Sequence, residues 1–341
     1  MRLPAIRRGE RADYYRCPKM WYWRWRKGLV AKAKSFGALD LGTWMHLALA
    51  HWYLKGFKRR GDLVELFRTS ALLDIRVAES SKAPEYILEK ADELLSLGEA
   101  MATAYQEHYG TDPKIDVITA EIPLEFNITE SFPPYELIAI HKLKPDLVFR
   151  DIRGGIWLME HKTAASIRTE HLPIDNQARP YGAMAERALR KLGLINKREE
   201  FKGILYNYLR KGLPDLREKD SKGHSLNKDG SVSKRQSPPL FLRKPITMST
   251  KAKIITLGRM RNDAILLTMV AQSIRDKKID PIDIPKVPHH SCPKICPFFA
   301  MCVAEEEGTD IRDMERMLYV RRDPYLYEEE STDERAGFEM G

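Results

Sequence analysis

Two acidic residues and a lysine flank a short hairpin pattern near the middle of the chain. Within residues 144–162, Asp146 precedes one apolar run, and Glu160 and Lys162 end the next, with a glycine pair between the runs. A turn centred on Arg153 sets Asp146 opposite Glu160, with their Cβ atoms about 5 Å apart. Lys162 lies on the same face, because side chains alternate along a strand. Carboxylates this close repel unless a cation separates them, so the spacing predicts a Mg²⁺ or Mn²⁺ site that directs water at a phosphodiester.

A helical pattern follows the hairpin and carries two further polar side chains. Pro180 is tolerated only in the first turn of a helix, so the helix is predicted to begin near Asn176. Gln177 and Tyr181 are then four residues apart on one helix face. Taken singly, a polar strand face is usually solvated, an amide is usually a surface residue and a tyrosine usually packs in the core. The order of the motifs along the chain therefore carries the functional prediction.

That order resembles the PD-(D/E)xK nucleases of the RecB-like group, which include CRISPR-associated and phage exonucleases. The matching motifs, in chain order, are Gly42-x3-His46, Pro145-Asp146, Glu160-His-Lys162 and Gln177-x3-Tyr181. The resemblance implies that the metal ligands are His46, Asp146, Glu160 and the backbone carbonyl of His161. It also implies that the catalytic residues are Asp146, Glu160 and Lys162, and that the substrate-binding residues are Gln177 and Tyr181. Glu121 is a weaker candidate, because it resembles an acidic residue on the preceding strand in some members.

The four cysteines are divided between the two ends of the chain. Cys17 lies near the amino terminus, whereas Cys292, Cys296 and Cys302 lie close together near the other end. Such clustering is typical of metal ligands rather than of a disulfide scaffold. The arrangement resembles the iron–sulfur modules of RecB-like nucleases, which implies a [4Fe–4S] cluster joining the two ends. The spacing between Cys292 and Cys296 departs from the more common x2, so Zn²⁺ held by four thiolates stays open.

The overall composition is that of a folded protein with an anionic partner. The 341 residues carry 57 Lys and Arg against 48 Asp and Glu, and the 43% hydrophobic content excludes wholesale disorder. Positive charge concentrates in residues 1–34, 210–235 and 243–261, which predicts binding to phosphate backbones. The apolar run at 264–274 is too short to span a membrane, and the amino terminus lacks a secretory signal, so we expect a cytoplasmic protein without a membrane partner. From 323 the sequence is acidic.

Hydrophobic periodicity predicts a mixed α/β fold. The predicted helices cover 39–57, 83–108, 176–192 and 247–276, and the predicted strands cover 117–128, 137–150, 156–163 and 203–209. The family resemblance implies a restriction-endonuclease-like mixed sheet flanked by helices. The predicted divisions are a helical region (1–112), a nuclease core (113–210), a mobile basic loop (211–240), a helical region with three cysteines (241–303) and an extension (304–341).

The sequence and the resemblance together predict a metal-dependent DNA exonuclease for recombination, repair or phage DNA processing. No Gly-x4-Gly-Lys-(Ser/Thr) phosphate loop is present, so we expect the protein to act either alone or with a separate helicase or recombination protein. Single- or double-stranded DNA is the expected substrate. Two alternatives stay open: an accessory DNA-binding subunit of a recombination or CRISPR-adaptation complex, and a zinc-stabilised RNA-processing nuclease.

Overall fold

The computed structural model describes residues 5–32, 36–55, 61–129 and 136–325. It divides into two compact units, each built from discontinuous stretches of chain. The central unit comprises Ser35–Pro123 and Lys144–Thr250, and the terminal unit comprises Met1–Lys34, Leu124–Leu143 and Lys251–Gly341. The sequence-based division into five consecutive segments follows composition along the chain and stays a prediction.

Both units contain strands and helices. The strands are β1 (Ala5–Arg7), β2 (Leu29–Ala31), β3 (Asp116–Ala120), β4 (Leu124–Thr129), β5 (Leu137–Leu143), β6 (Leu147–Arg150), β7 (Ile156–Ala164), β8 (Phe201–Arg210), β9 (Phe241–Ile246) and β10 (Tyr319–Arg321). The helices are α1 (Arg8–Arg16), α2 (Pro18–Trp21), α3 (Ala38–Leu54), α4 (Leu63–Ser80), α5 (Glu85–Tyr109), α6 (Ala178–Lys191), α7 (Thr250–Arg275), α8 (Cys292–Ile295), α9 (Phe299–Glu306) and α10 (Arg312–Leu318). A π-helix spans Tyr22–Arg26, and short 3₁₀ turns span Leu172–Ile174 and Pro281–Asp283.

The central unit is a mixed sheet covered by helices. Its strands lie in the order β3-β6-β7-β8-β9, with β7 and β8 parallel and the other neighbours antiparallel. Helices α3, α4 and α5 contribute large apolar side chains such as Trp44, Phe67 and Met101 to one core with Phe149 and Met159 of the sheet. Burial of this apolar surface is the main stabilising term of the unit. The mixed α/β architecture predicted from the sequence is confirmed.

Two strands were predicted to be continuous, and both predictions are wrong. The run 117–128 is divided into β3 and β4, and the run 137–150 is divided into β5 and β6. Glu121 ends β3 with a φ of 53°, in the left-handed region. Pro123 and Pro145 follow at the two breaks, and a proline has no N–H to donate to a sheet ladder. As a result β4 and β5 belong to the terminal unit, whereas β3 and β6 belong to the central sheet.

The predicted helices agree with α3, α5, α6 and α7 to within a few residues. Phe57, the predicted end of the first helix, lies outside the described residues, as does most of the acidic segment that begins at 323. Helix α4 and strand β9 were not predicted. In the predicted loop 211–239, no helix or strand is present, but two isolated bridges join Lys219 to Ser225 and Leu226 to Val232.

The terminal unit contains a three-stranded sheet and a two-stranded ribbon. The sheet has the order β1-β5-β4, and the ribbon pairs β10 with β2. Trp21 packs with apolar residues of α7 in one core, and Trp23 packs with Phe298, Met301 and Tyr319 in another. In the described part of the chain, no helix is both long and apolar enough to cross a membrane.

Candidate active site

The hairpin predicted from the sequence forms between β6 and β7. Leu147 pairs with Met159 across it, which is the predicted register. Asp146 immediately precedes β6, and this register sets it opposite Glu160 on β7. Lys162 lies two residues further along the same strand. The spacing along the chain was therefore sufficient to place these acids on neighbouring strands.

Asp146 is buried and held by the backbone of β7. Its Oδ2 accepts a hydrogen bond from the N–H of His161 at 2.5 Å, and its Oδ1 lies 3.5 Å from Nδ1 of His46 on α3. Helix α3 approaches β7 closely because Gly42 has no side chain. A Cβ atom at this position would lie 2.9 Å from Oγ1 of Thr163. The Gly-x3-His spacing thus has a physical reason: the glycine admits the helix that carries the histidine.

Glu160, Lys162 and Gln177 form one hydrogen-bonded cluster. Nζ of Lys162 lies 2.7 Å from Oε1 of Glu160 and 2.7 Å from Oε1 of Gln177, and the Gln177 amide donates to the same Glu160 oxygen. Asp175 fixes Gln177 by accepting hydrogen bonds at 2.8 Å from the N–H groups of Gln177 and Ala178 at the start of α6. Glu160 and Gln177 are buried, whereas 30% of the Lys162 side chain is exposed. The Lys162 side chain is therefore partly exposed, while its ammonium is bonded to two buried residues.

The two buried acids have opposite pKa shifts. Burial alone would raise the pKa of Asp146, but the positive charge of His46 and its hydrogen bond outweigh burial and lower this pKa. Burial raises the pKa of Glu160, and the nearby Asp146 carboxylate raises it further. Two buried carboxylates in one site disfavour double ionisation. A cation bound between them would relieve that repulsion.

The acidic pair fits a divalent cation in charge and in donor type. Oε2 of Glu160 is buried without a hydrogen-bond partner, so it is available as a ligand, and carboxylate oxygens suit Mg²⁺ and Mn²⁺. Asp146 and His46 are the neighbouring donors. Among the described residues, no three His, Cys, Asp or Glu side chains form a ready-made metal site. The other Glu160 oxygen is bonded to the amine and amide described above. The carbonyl of His161 stays a predicted ligand.

Tyr181 and Glu121 hold the segment that leads into Asp146. The buried Tyr181 hydroxyl donates to the carbonyl of Lys144 at 3.0 Å and accepts from its N–H at 3.3 Å. The Glu121 carboxylate lies 2.9 Å from Nζ of Lys144, and its N–H donates to the Asp146 carbonyl at 2.9 Å. Burial, and then the Asp146 charge, raise the pKa of Glu121. All candidates thus gather around Asp146, while substrate contacts of Gln177 and Tyr181 stay a prediction.

A comparison with models of protein families identifies the family to which this site belongs. The model of the PD-(D/E)XK nuclease superfamily matches residues 11–303, a range that contains the whole site described above. The chain belongs to the PD-(D/E)XK nuclease superfamily. It is therefore a phosphodiester-hydrolysing nuclease, and that part of the sequence-based prediction is confirmed. No curated protein matches the chain.

A buried polar network, not predicted from the sequence, lies behind the strand that carries Glu160 in this nuclease. Asn207 on β8 is the strand partner of His161, and its Nδ2 lies 2.8 Å from Nδ1 of that histidine. Since the amide nitrogen donates, Nδ1 accepts and the proton of the neutral ring is assigned to Nε2. Tyr53 stacks on the same ring with 5.9 Å between centroids, and Asn207 also donates to the hydroxyl of Tyr105 at 2.9 Å.

Arg243 on β9 provides the positive charge of this network. Its guanidinium donates to both carboxylate oxygens of Asp112 and to the hydroxyls of Tyr53 and Tyr105 at 3.0 and 3.1 Å. Its Nε lies 3.3 Å from Oδ1 of Asn207. The one feature of the sequence that could have indicated this network is Asn207, a polar residue within an otherwise apolar strand pattern. Its partners come from other elements and could not be assigned without the fold.

The four cysteines of this nuclease line one cavity of about 1100 Å³ in the terminal unit. All four are free and half-buried, and three of them, Cys17, Cys296 and Cys302, pack beside the apolar core around Trp23. Burial raises the pKa of the Cys296 and Cys302 thiols. The lining of the cavity comes from the boundary between α1 and α2 and from α8 and α9. The cysteines are thus brought to one place, although among the described residues they do not form a ready-made metal site.

Proposed function

We propose that this nuclease is a metal-dependent DNA exonuclease of the RecB-like kind, acting in recombination, repair or phage DNA processing. The observation that carries the proposal is the cluster of Glu160, Lys162 and Gln177 beside Asp146. A protein that only binds DNA needs none of these contacts, whereas metal-dependent phosphodiester hydrolysis needs acidic residues that hold the cation. The order of the motifs along the chain supports the exonuclease assignment.

Each residue of the cluster has a distinct role in the proposed reaction. His46, Asp146 and Glu160 would hold a divalent cation, which when bound supplies Lewis-acid stabilisation of the charge that develops on the phosphate. The N–H of His161 orients Asp146 from the sheet. Lys162, whose ammonium is held by two acceptors, would orient the attacking water and stabilise the phosphate oxygens.

We further propose that the four cysteines hold a [4Fe–4S] cluster, with Zn²⁺ as the alternative. The shared cavity and the absence of disulfides among the described cysteines support a common metal group. A group of this kind would close a loop from Cys17 to Cys292, and cross-links that close long loops stabilise a fold by restricting the unfolded chain. Its role is therefore structural. A separate helicase or recombination protein is the proposed partner.

Four labelled substrates test the exonuclease proposal: linear single-stranded DNA, linear duplex DNA, covalently closed circular duplex DNA and RNA. With Mg²⁺ or Mn²⁺, we expect linear DNA to be degraded progressively from an end while the circle stays intact. Cleavage of the circle would show an endonuclease, and cleavage of RNA alone would favour the RNA-processing alternative. DNA binding without cleavage of any substrate would favour the accessory DNA-binding subunit.

A further inference from the structure

In the loop 211–240 between β8 and β9, the aspartates form hydrogen bonds with other residues of the same loop. Asp215 accepts hydrogen bonds from the guanidinium of Arg217 at 2.6 Å and from the hydroxyls of Ser225 and Ser237 at 2.7 and 2.9 Å. Two further aspartates of the loop bond to nearby backbone or side-chain donors in the same way: Asp220 with His224 and Asp229 with Ser231. Arg217 therefore balances the charge of Asp215, and the other two aspartates are bonded to donors of the loop itself.

The basic residues of the same loop face solvent. The exposed side chains are Lys219, Lys222, Lys228, Lys234 and Arg235. Within the described residues, none of these five forms an ion pair with an acid, and the exposed acids of the loop are Glu218 and Asp229. The outward surface of the loop is therefore positive. A surface on which most exposed charged side chains are basic is typical of one that binds an anion.

The loop begins at the edge of the sheet where the catalytic strand ends. Strands β7 and β8 are parallel, and Lys162 pairs with Tyr208. Three residues further along, the N–H of Lys211 donates to the carbonyl of Ala164 at 2.7 Å. At about 3.3 Å per residue, the loop leaves the sheet about 10 Å beyond Lys162. A polynucleotide bound at the active site extends further than this distance.

A concave site lies at the base of the loop. Its volume is about 460 Å³, and Arg210, Lys219 and His108 supply donors for a phosphate along its lining. Phe241 lines the same cavity with an aromatic ring, and the acids Glu107 and Asp215 also line it. The Gln236 amide at this cavity is already bonded to backbone groups of Ser225 and Ser233. Basic side chains beside an aromatic ring are the combination by which proteins bind single-stranded nucleic acid.

We propose that the loop 211–240 is a second contact surface for the DNA substrate, binding the phosphate backbone of the strand that extends beyond the active site. The inference rests on the proposed function and identifies where that nuclease holds its substrate outside the reacting phosphate. Binding at this loop is sequence-independent and salt-sensitive, because it depends on Lys and Arg contacts to phosphates.

Equilibrium binding of a fluorescent single-stranded oligonucleotide in EDTA tests the proposal without cleavage. The loop variant carries Lys222→Gln, Lys228→Gln and Lys234→Gln. A matched control carries Lys191→Gln, Lys197→Gln and Arg198→Gln, three exposed cations at the opposite end of β8. A charge-preserving variant with arginine at the three loop positions tests whether charge alone matters. Melting curves verify that every variant is folded.

The loop variant should flatten the dependence of log Kd on log salt by about two, because each lost phosphate contact removes about 0.7 from the slope for single strands. The control and arginine variants should keep the wild-type slope. A loop variant with the slope of the control overturns the inference, even if wild-type protein degrades DNA. Conversely, loop-dependent binding by a wild-type protein that cleaves nothing supports this surface while the proposed nuclease assignment fails.

Discussion

Asn207 and His161 are strand partners, and the Asn207 amide lies 2.8 Å from Nδ1 of the histidine. The same histidine donates its backbone N–H to Asp146 at 2.5 Å. His161 of β7 therefore has its ring held by Asn207 and its peptide N–H bonded to Asp146, a proposed metal ligand. Outer contacts of this kind orient metal ligands and contribute to metal affinity.

Replacement of Asn207 by leucine should weaken metal activation of the nuclease. We expect the Mn²⁺ concentration for half-maximal cleavage to rise about tenfold, the lower end of the effect of outer-sphere contacts. The His161→Phe variant removes the other partner, and the double variant should add little to either single change, because both act through one contact. Unchanged half-saturation in Asn207→Leu, with normal folding, would contradict the positioning role.

The buried charge of Arg243 should contribute strongly to stability. Replacing Arg243 with methionine leaves Asp112 buried without its ion pair, which costs about 3–5 kcal/mol of unfolding free energy. The exposed pair of Arg312 and Asp310 provides the control, and Arg312→Met should leave the free energy of unfolding almost unchanged. Urea denaturation measures both. If Asp112→Asn together with Arg243→Met fails to recover part of the loss, the ion-pair explanation is wrong.

The fold and the site were accessible from the sequence to different degrees. The pairing of Asp146 with Glu160 across the hairpin could be predicted from their spacing along the chain, because a short turn fixes which residues lie opposite each other. The positions of Gln177 and His46 followed from family resemblance and motif order. By contrast, the network of Asn207 and Arg243 depends on which strands neighbour each other, and chain spacing does not specify that order.

The division of strands was missed for a local reason. Alternating and β-branched residues continue through Glu121 and through the segment containing Pro145, so hydrophobic pattern alone favours longer strands. The left-handed backbone at Glu121 and the absent N–H of proline interrupt the ladders. The chain then turns away from the central sheet and builds β4 and β5 in the terminal unit.

His141 should make the unfolding free energy depend on pH. Burial lowers its pKa from 6.5 to about 4, so the unfolded chain binds a proton as pH falls below about 6.5 while the folded protein does not. Stability is therefore lost between about pH 6.5 and pH 4. Between about pH 7.5 and pH 5, wild type should lose about 2 kcal/mol more than His141→Gln. Equal pH dependence of the two proteins in urea denaturation would contradict a neutral buried histidine.

Loss of one cysteine should remove the proposed cluster and destabilise the terminal unit. We expect Cys296→Ser to abolish visible absorption and iron content and to cost about 3 kcal/mol or more, by the entropic effect of opening a long loop. Lys294→Gln, an exposed change in α8, which ends immediately before Cys296, is the control. Wild-type protein that is colourless and carries stoichiometric zinc would instead establish the zinc site.

The most direct measurement of the central claim is release of nucleotides from end-labelled linear DNA in Mg²⁺ or Mn²⁺ by wild type, Glu160→Gln and Lys162→Gln. Wild type should degrade the DNA, and each variant should lose at least about 10³-fold in rate, because each removes a group that acts on the developing charge. Glu160→Gln should keep the wild-type melting temperature or exceed it without metal, since it removes a buried carboxylate whose charged form is disfavoured. Folded variants that degrade DNA at the wild-type rate would contradict the assignment of this site.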